Sequence, residues 1–467
     1  MVFSSMTFLW VFLPLLLVFY YLAHPAMKNY VLLVFSLVFY AWGEPRYIFL
    51  MMISIAVNYA MGILLNSRTS KRARVLVLIS AIIFNVGLLG YYKYSGFLVD
   101  NINKLFGTSI KAKALTLPIG ISFYTFQIMS YIIDLYRKEI KVQKNVFNLA
   151  LYISFFPQLI AGPIVKYKDV DEQIRKRNVT LDSFVAGTKR FIYGLSKKTL
   201  IANTMAIVAD RVFDSDASGI STSLAWVGAI SYSLQIYYDF SGYSDMAIGL
   251  GKMFGFEFAE NFNLPYKSKS ITEFWRRWHI SLSTWFKEYI YIPLGGNRKG
   301  KIRTYINLWI VFIVTGIWHG AAWTFLAWGL FHGFFIFVER LGLKKLLDKC
   351  HVINHVYALF VVNFGWVIFR SNGLKNSLRF IKRMIIPEDI TASINIYSLV
   401  SKKFIVVLIA AVLLSCIIQS VYGIVKNNGV VKKIVMVCEP LVIIALWLLC
   451  IMSLVSNTYN PFIYFRF

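Results

Sequence analysis

Charge is scarce in this chain, and acid scarcer still. Only 15% of its 467 residues are charged, well short of the quarter found in ordinary soluble domains, which argues against a soluble globular protein. Cysteine is almost absent: Cys350, Cys416, Cys438 and Cys450 fall in the last quarter with no C-x-x-C spacing, which excludes a disulfide framework and gives no metal site. No activated-serine motif, P-loop or H-E-x-x-H occurs, so hydrolase, ATPase and zinc-protease chemistry have no support. The first apolar segment has no basic residue before it and no small-residue cleavage site, so it reads as an uncleaved span rather than a signal peptide. No internal repeat or low-complexity tract is visible.

What is abundant is apolar surface: 58% of the residues are hydrophobic and 17% aromatic. A membrane crossing needs about 20 mostly apolar residues, and windows at 8–23, 47–65, 75–92, 322–338, 404–422 and 434–454 qualify. Counting weaker windows gives roughly ten to twelve, and an all-α polytopic membrane protein follows because helices satisfy their own backbone polar groups in lipid. The formal net charge of +27 does not mean nucleic acid, since the cations sit in short clusters between apolar windows. They read as the positive-inside bias, with a further capacity to attract anionic ligands or lipid head groups.

Charge clusters then set the sides. Arg68, Lys71, Arg72 and Arg74 mark one inner connection, and Arg137, Lys138, Lys141 and Lys144 the next. The apolar stretch 146–165 is followed by another basic run, 166–177. Two inner flanks cannot bracket one crossing, so "FFPQLIAGPIV", broken by Pro157, Gly162 and Pro163, reads as a re-entrant hairpin. Residues 183–213 are expected as amphipathic helices along the inner surface, followed by two crossings at 223–238 and 243–256. Parity puts the carboxyl terminus outside, although the basic connection 370–403 then also falls outside.

"FWRRWHISLSTWF", residues 274–286, lies between those crossings and the basic run Arg298, Lys299, Lys301, Arg303. Both its ends face the cytoplasm, so it is expected to enter the membrane without crossing. On a helical plot Trp275, Trp278, Leu282, Trp285 and Tyr289 share one face and Arg276, Arg277, Ile280, Ser283, Thr284 and Lys287 the other, with His279 on the border. The span 304–319 follows, and a helix unbroken from there to Glu339 would reach about 54 Å, so a break at His319-Gly320-Ala321 is expected.

An ionisable side chain inside a membrane is by default a functional candidate. His24, His351 and His355 fall near predicted ends, and His332, beside Phe331, Phe334 and Phe335, reads as packing. His319 stands on one stripe with Asn307 and Thr315, which are expected to line a pore. His279, on the re-entrant segment, would meet it at a polar centre, where an imidazole can take a proton from a hydroxyl near neutral pH.

The segments "LPIGISFYTFQIMSYIIDLYR" (117–137), "FFPQLIAGPIV" (155–165), "YYDFSGYSDMAIGLGKMFGFEFAENFNLPY" (237–266), "FWRRWHISLSTWFKEYIYIPLGGNRKG" (274–300) and "TGIWHGAAWTFLAWGLFHG" (315–333) resemble the membrane-bound O-acyltransferase (MBOAT) superfamily, in its bacterial alginate and peptidoglycan O-acetyltransferase branch. The resemblance implies one membrane domain over residues 1–467, a bundle around a funnel or tunnel with its motif-rich core at 117–333. It implies transfer of an acyl group, most simply acetyl, from a cytoplasmic thioester (acetyl-CoA or acyl carrier protein) to hydroxyls of an exported surface polysaccharide. No bound cofactor or metal is implied. The family's invariant histidine carries over to His319 and its second active-site histidine to His279. His319 would be the general base, and His279 would position or polarise the thioester carbonyl.

Arg276, Arg277, Arg298 and Lys299 are candidates for attracting the donor, although basic residues beside a membrane also serve as topology signals. "NPFIYFRF" (460–467) resembles the group's carboxyl-terminal aromatic motif, in which Tyr464 would relay the acyl group to an extracytoplasmic acyltransferase- or esterase-like partner; an interfacial aromatic anchor is the plainer reading. The setting implied is a bacterial cytoplasmic membrane, with lipid but no nucleic acid as a partner. D-alanyl transfer to a teichoic-acid-type polymer is the alternative within the superfamily. A transporter using Asp134, Asp239 and Asp245 as coupling sites is the alternative outside it.

Overall fold

Hydrocarbon offers no partner to a backbone N–H or C=O, so a chain this apolar has to satisfy both within helices. The computed structural model describes all residues except 112, 114, 217–218, 388–395, 418–427, 457–462 and 464–467. Among the described residues the regular elements are all helical. Six are long and apolar enough to cross a membrane: Pro25–Gly43, Tyr47–Ser67, Lys71–Phe106, Trp323–Leu347, Val352–Arg370 and Gly429–Ser456. The chain divides into two compact units, Met1–Phe191 with Met246–Ala259, and Ile192–Asp245 with Glu260–Phe467.

The first unit holds α1 (Leu13–Leu22), α2 (Lys28–Gly43), α3 (Tyr47–Ser67), α4 (Lys71–Phe106) and α5 (Ile121–Arg137). Phe3, Phe8, Phe39 and Phe156 are buried together, with Phe3 and Phe8 5.1 Å apart at their ring centres. Helices in lipid gain little from apolar burial and are joined by polar contacts instead. Here Asn85 Nδ2 on α4 donates to Asn58 Oδ1 on α3 at 2.7 Å, and Asn58 Nδ2 returns the bond at 3.1 Å. The stretch after α5 breaks as expected into α6 (Val146–Ser154) and α7 (Phe156–Leu159), each too short to cross, before α8 (Tyr167–Arg175). Tyr152 Oη donates to Val165 O at 2.9 Å and so ties the return limb to the entering one.

The middle of the chain differs from expectation at one point. Residues 181–213 form one helical rod, α9 (Leu181–Ser196), a π-helical turn (Lys197–Ala202) and α10 (Asn203–Phe213), about 50 Å long at 1.5 Å per residue. Residues 223–256, read as two crossings, lie mostly in a single helix, α11 (Thr222–Met253). The physical reason is that Gly242 in "DFSGYSD" serves a helix contact instead of a turn: a Cβ there would sit 2.7 Å from Gly194 O. Two lysines of the rod are drawn inward by acids. The π turn aims Lys198 and Lys197 at α11, where they pair with Asp239 at 2.7 Å and Asp245 at 2.6 Å.

The rest of the second unit consists of α12 (Ile271–Arg277), α13 (Ile280–Phe286), α14 (Lys301–His319), α15 (Trp323–Val338), α16 (Lys344–Leu347), α17 (His351–Arg370), α18 (Leu374–Ile385), α19 (Ile396–Leu399), α20 (Lys402–Val412) and α21 (Gly429–Ser456). The expected break after His319 is present. α14 and α15 pack backbone to backbone: a Cβ on Gly316 would lie 2.6 Å from Phe325 O, and one on Gly329 would collide with Phe312 O.

Candidate active site

The tryptophan-rich segment is not the single amphipathic helix expected. It is two seven-residue helices, α12 and α13, with His279 between them at φ +44°. That left-handed backbone is costly for a residue with a Cβ and persists where surrounding contacts over-determine it. Those contacts are visible. Ser270 Oγ caps α12 by accepting from Glu273 N, 3.0 Å. Glu339, buried at the end of α15, accepts from Ile271 N at 2.5 Å, from Thr272 N at 3.0 Å and from Thr272 Oγ1 at 2.6 Å. A carboxylate is the fitting ligand for the unpaired N–H groups and positive dipole end of a helix start. The helical plot still sorts burial correctly: Trp278, Leu282, Trp285 and Tyr289 are buried while Arg276 and Lys287 are exposed.

The strained turn buries the His279 ring completely. Nδ1 lies 3.1 Å from Asn261 Oδ1. The same oxygen accepts from Ser281 N at 3.3 Å and Ser281 Oγ at 2.9 Å, while Asn261 Nδ2 donates to Ser244 Oγ on α11 at 3.0 Å. Phe240 meets the ring edge-on, 4.6 Å between centres.

His319, the last residue of α14, is 5% exposed. Its ring sits against Trp318 and Trp328, each 4.9 Å away, and Phe369, 5.3 Å away. Trp318 is also 6.4 Å from His279, so one indole is flanked by both imidazoles. The centre is therefore walled by aromatic rings. His332 is fully buried among Phe274, Trp275, Trp328 and Phe331, and among the described residues neither ring nitrogen has a hydrogen-bond partner.

A cavity of about 680 Å³ opens beside this centre. Arg276, Lys287, Arg298 and Arg340 give it a cationic rim, and Trp275, Phe312 and Thr315 line its interior. Neither His279 nor His319 lines it; Thr315, one helical turn before His319, does. Asn307, expected on the pore stripe, does not line this cavity. Its Nδ2 donates to Gly296 O at 2.9 Å and Leu294 O at 3.4 Å, fastening the "PLGGN" loop. Arg277 is likewise diverted from the cavity, to Glu273 at 2.8 Å and Asn263 O at 3.0 Å, and the Lys299 stem packs beside Gly295. Tyr464 lies outside the described residues. Its neighbour Ile463 is buried, and the Ile463 N–H donates to Asp239 Oδ2 at 2.8 Å.

Sequence reasoning missed Asn261, Ser281, Glu339, Lys287 and Arg340. Glu339 had a signal: a lone acid at the end of an apolar run asks for a partner inside the protein. Asn261 had none, because a loop amide is ordinary until the fold brings it to an imidazole.

Residues 133–376 match the family described as membrane-bound O-acyltransferase, MBOAT. A probable alginate O-acetylase of Azotobacter vinelandii is 44% identical over 91% of this chain and 85% of its own length. A probable alginate O-acetylase of Pseudomonas putida is 40% identical over the full length of both. A peptidoglycan O-acetyltransferase of Helicobacter pylori is 38% identical over 82% of this chain and 80% of its own. Joined to an all-helical architecture with long apolar helices, these likenesses establish that the chain belongs to the membrane-bound O-acyltransferase family, as a multi-pass membrane enzyme that transfers acyl groups to oxygen.

Proposed function

We propose that this enzyme moves an acetyl group from a cytoplasmic thioester, acetyl-CoA or an acyl carrier protein, to hydroxyls of an exported surface polysaccharide in a bacterial inner membrane. The observation that carries the proposal is the Trp318 indole within 6.4 Å of His279 and 4.9 Å of His319 between ring centres, which brings two separate stretches of chain to one place. The full-length likeness to acetylases favours acetyl over D-alanyl. His319 acts as general base: it takes the proton of the attacking hydroxyl as the new C–O bond forms, the C–S bond breaks and the thiolate leaves to be protonated. His279 positions the thioester. The rim of Arg276, Lys287, Arg298 and Arg340 draws in the anionic donor, and the apolar lining of the cavity suits a linear thioester arm.

In this reading Tyr464 accepts the acetyl group first and an extracytoplasmic partner carries it to the polymer; a phenol leaves more readily than a sugar hydroxyl because its pKa is near 10. The test uses purified protein together with its extracytoplasmic partner and a radiolabelled acetyl thioester. Wild type forms an alkali-labile ester on added acceptor and His319→Ala, at equal expression, does not. Equal labelling by the variant removes His319 as base. Intact-mass analysis after donor treatment tests the relay: an adduct on the last peptide that vanishes in Tyr464→Phe supports it, and full polymer acetylation by that variant rejects it.

A further inference from the structure

Asn261 carries an instruction about His279 that follows from donor and acceptor chemistry alone. An amide's oxygen and nitrogen are told apart by their partners, and here the partner is decisive: the backbone N–H of Ser281, which can only donate, points at one atom of the Asn261 amide at 3.3 Å. That atom must be Oδ1. The amide nitrogen is then the one that donates to Ser244 Oγ. An oxygen has no hydrogen to give, so His279 Nδ1, 3.1 Å away, has to supply the proton between them. A neutral imidazole carries one N–H. His279 Nε2 is therefore the bare nitrogen, and among the described residues it has no hydrogen-bond partner although it is fully buried.

We infer that Asn261 is a positioning residue that locks His279 in its Nδ1–H tautomer, so that in the neutral enzyme Nε2 accepts a hydrogen bond or proton and does not donate one. This deepens the acyl-transfer reading of the site and rests on it. It also changes the division of labour there. Polarising a thioester carbonyl requires a donor, which neutral His279 cannot be at Nε2. Its Nε2 instead receives the O–H of an incoming acceptor or orients a donor N–H, and the loss of its lone pair on protonation ends that role.

The charged and titratable groups around it are few. On α11, Asp239 and Asp245 are neutralised by Lys198 and Lys197. α14 presents His319, the loop before Asn261 carries the exposed Glu260, and the preceding helix carries Arg276 and the Glu273-paired Arg277. A carboxylate placed at position 261 would thus act on His279 as a new, uncompensated charge.

The experiment is a set of kcat–pH profiles for wild type, Asn261→Asp, Asn261→Ala and His279→Ala. Asp keeps the acceptor oxygen and adds a charge that favours the imidazolium, so its acid limb moves to higher pH by about one unit or more, with kcat regained at alkaline pH. Ala has lost the lock and is down at least about tenfold in kcat at every pH, with the KM for the thioester little changed. An unmoved acid limb in Asn261→Asp, an alkaline limb that moves up instead, or full kcat in Asn261→Ala overturns the inference. Full activity in His279→Ala would instead sink the role of His279 in the proposed function, a separate failure. Should the Asn261 variants not fold, 15N-histidine-labelled wild type in lipid bilayers gives the answer directly. The His279 Nε2 resonance, identified by its loss in His279→Gln, must fall in the unprotonated range at neutral pH; a protonated Nε2 rejects the lock.

Discussion

His332 and His319 bury the same imidazole on neighbouring helices, yet the chemistry asked of them differs. His332 has four rings around it and, among the described residues, no hydrogen bond at either nitrogen, so it serves as a flat disc. His332→Leu is expected to lower stability by about 1–2 kcal/mol, the worth of its ring contacts, while polymer acetylation stays within a few-fold of wild type; His319→Leu is expected to abolish it. Thermal denaturation in detergent together with ester assay separates the two, and the opposite ranking of activities would reverse the assignment. Glu339 is a second residue-scale case. Glu339→Ala orphans the N–H groups of Ile271 and Thr272, at a cost of about 1–3 kcal/mol for each buried group left unsatisfied. Glu339→Gln retains an acceptor and is expected to lose less, in melting temperature and in turnover alike. Equal melting of the two variants would mean that the capping bonds contribute little.

At the scale of elements, the site depends on how closely α14 and α15 approach. Gly329 has no room for a Cβ against Phe312 O, and adding a methyl group to a filled interface typically costs about 1–3 kcal/mol. Gly329→Ala is expected to melt lower and to lose turnover disproportionately, because Trp328, the residue beside it, forms one wall of the His319 cage. Gly90→Ala, on α4 with nothing near its Cβ position, is the control and is expected to be neutral in both assays. The break in the tryptophan-rich segment belongs to the same scale. Helical periodicity sorted its buried and exposed residues correctly because α12 and α13 each keep the 3.6-residue period. The turn at His279 was invisible, because a strained backbone is imposed by contacts with Asn261 and Phe240 and not by any local propensity of the sequence Trp-His-Ile.

At the scale of the whole molecule, the rod 181–213 is about 50 Å long at 1.5 Å per residue, long enough to cross a bilayer, and such a crossing would put Asn178 and Ser215 on opposite sides. With the native cysteines replaced by serine, a membrane-impermeant maleimide applied to intact cells is expected to label Ser215→Cys and to leave Asn178→Cys unlabelled until the membrane is permeabilised. Labelling of both from one side would restore a surface-lying helix at 181–213. The cationic rim predicts a salt effect as well. Exposed charges attract a donor less strongly as the Debye length shortens from about 10 Å at 0.1 M, so the KM for the thioester should rise several-fold between low and high salt with kcat unchanged. The slope should flatten in Arg298→Ala/Arg340→Ala.

What the sequence determined by itself was everything that depends on solvation and local period. Few charges and long apolar runs require a helical membrane protein, proline and glycine breaks at 157–163 and 320 end helices, and motif residues such as His279 and His319 stand out as polar groups in an apolar chain. What only the tertiary structure decided was partnership. Lys197, Lys198, Asp239 and Asp245 look alike in sequence whether they mark a membrane surface or cancel one another inside it, and only the packing of the two long rods selects the second. Asn261 and Glu339 are unremarkable until folding sets an imidazole and a helix start in front of them, because a hydrogen bond is a property of two groups at about 3 Å, and no single stretch of sequence contains both.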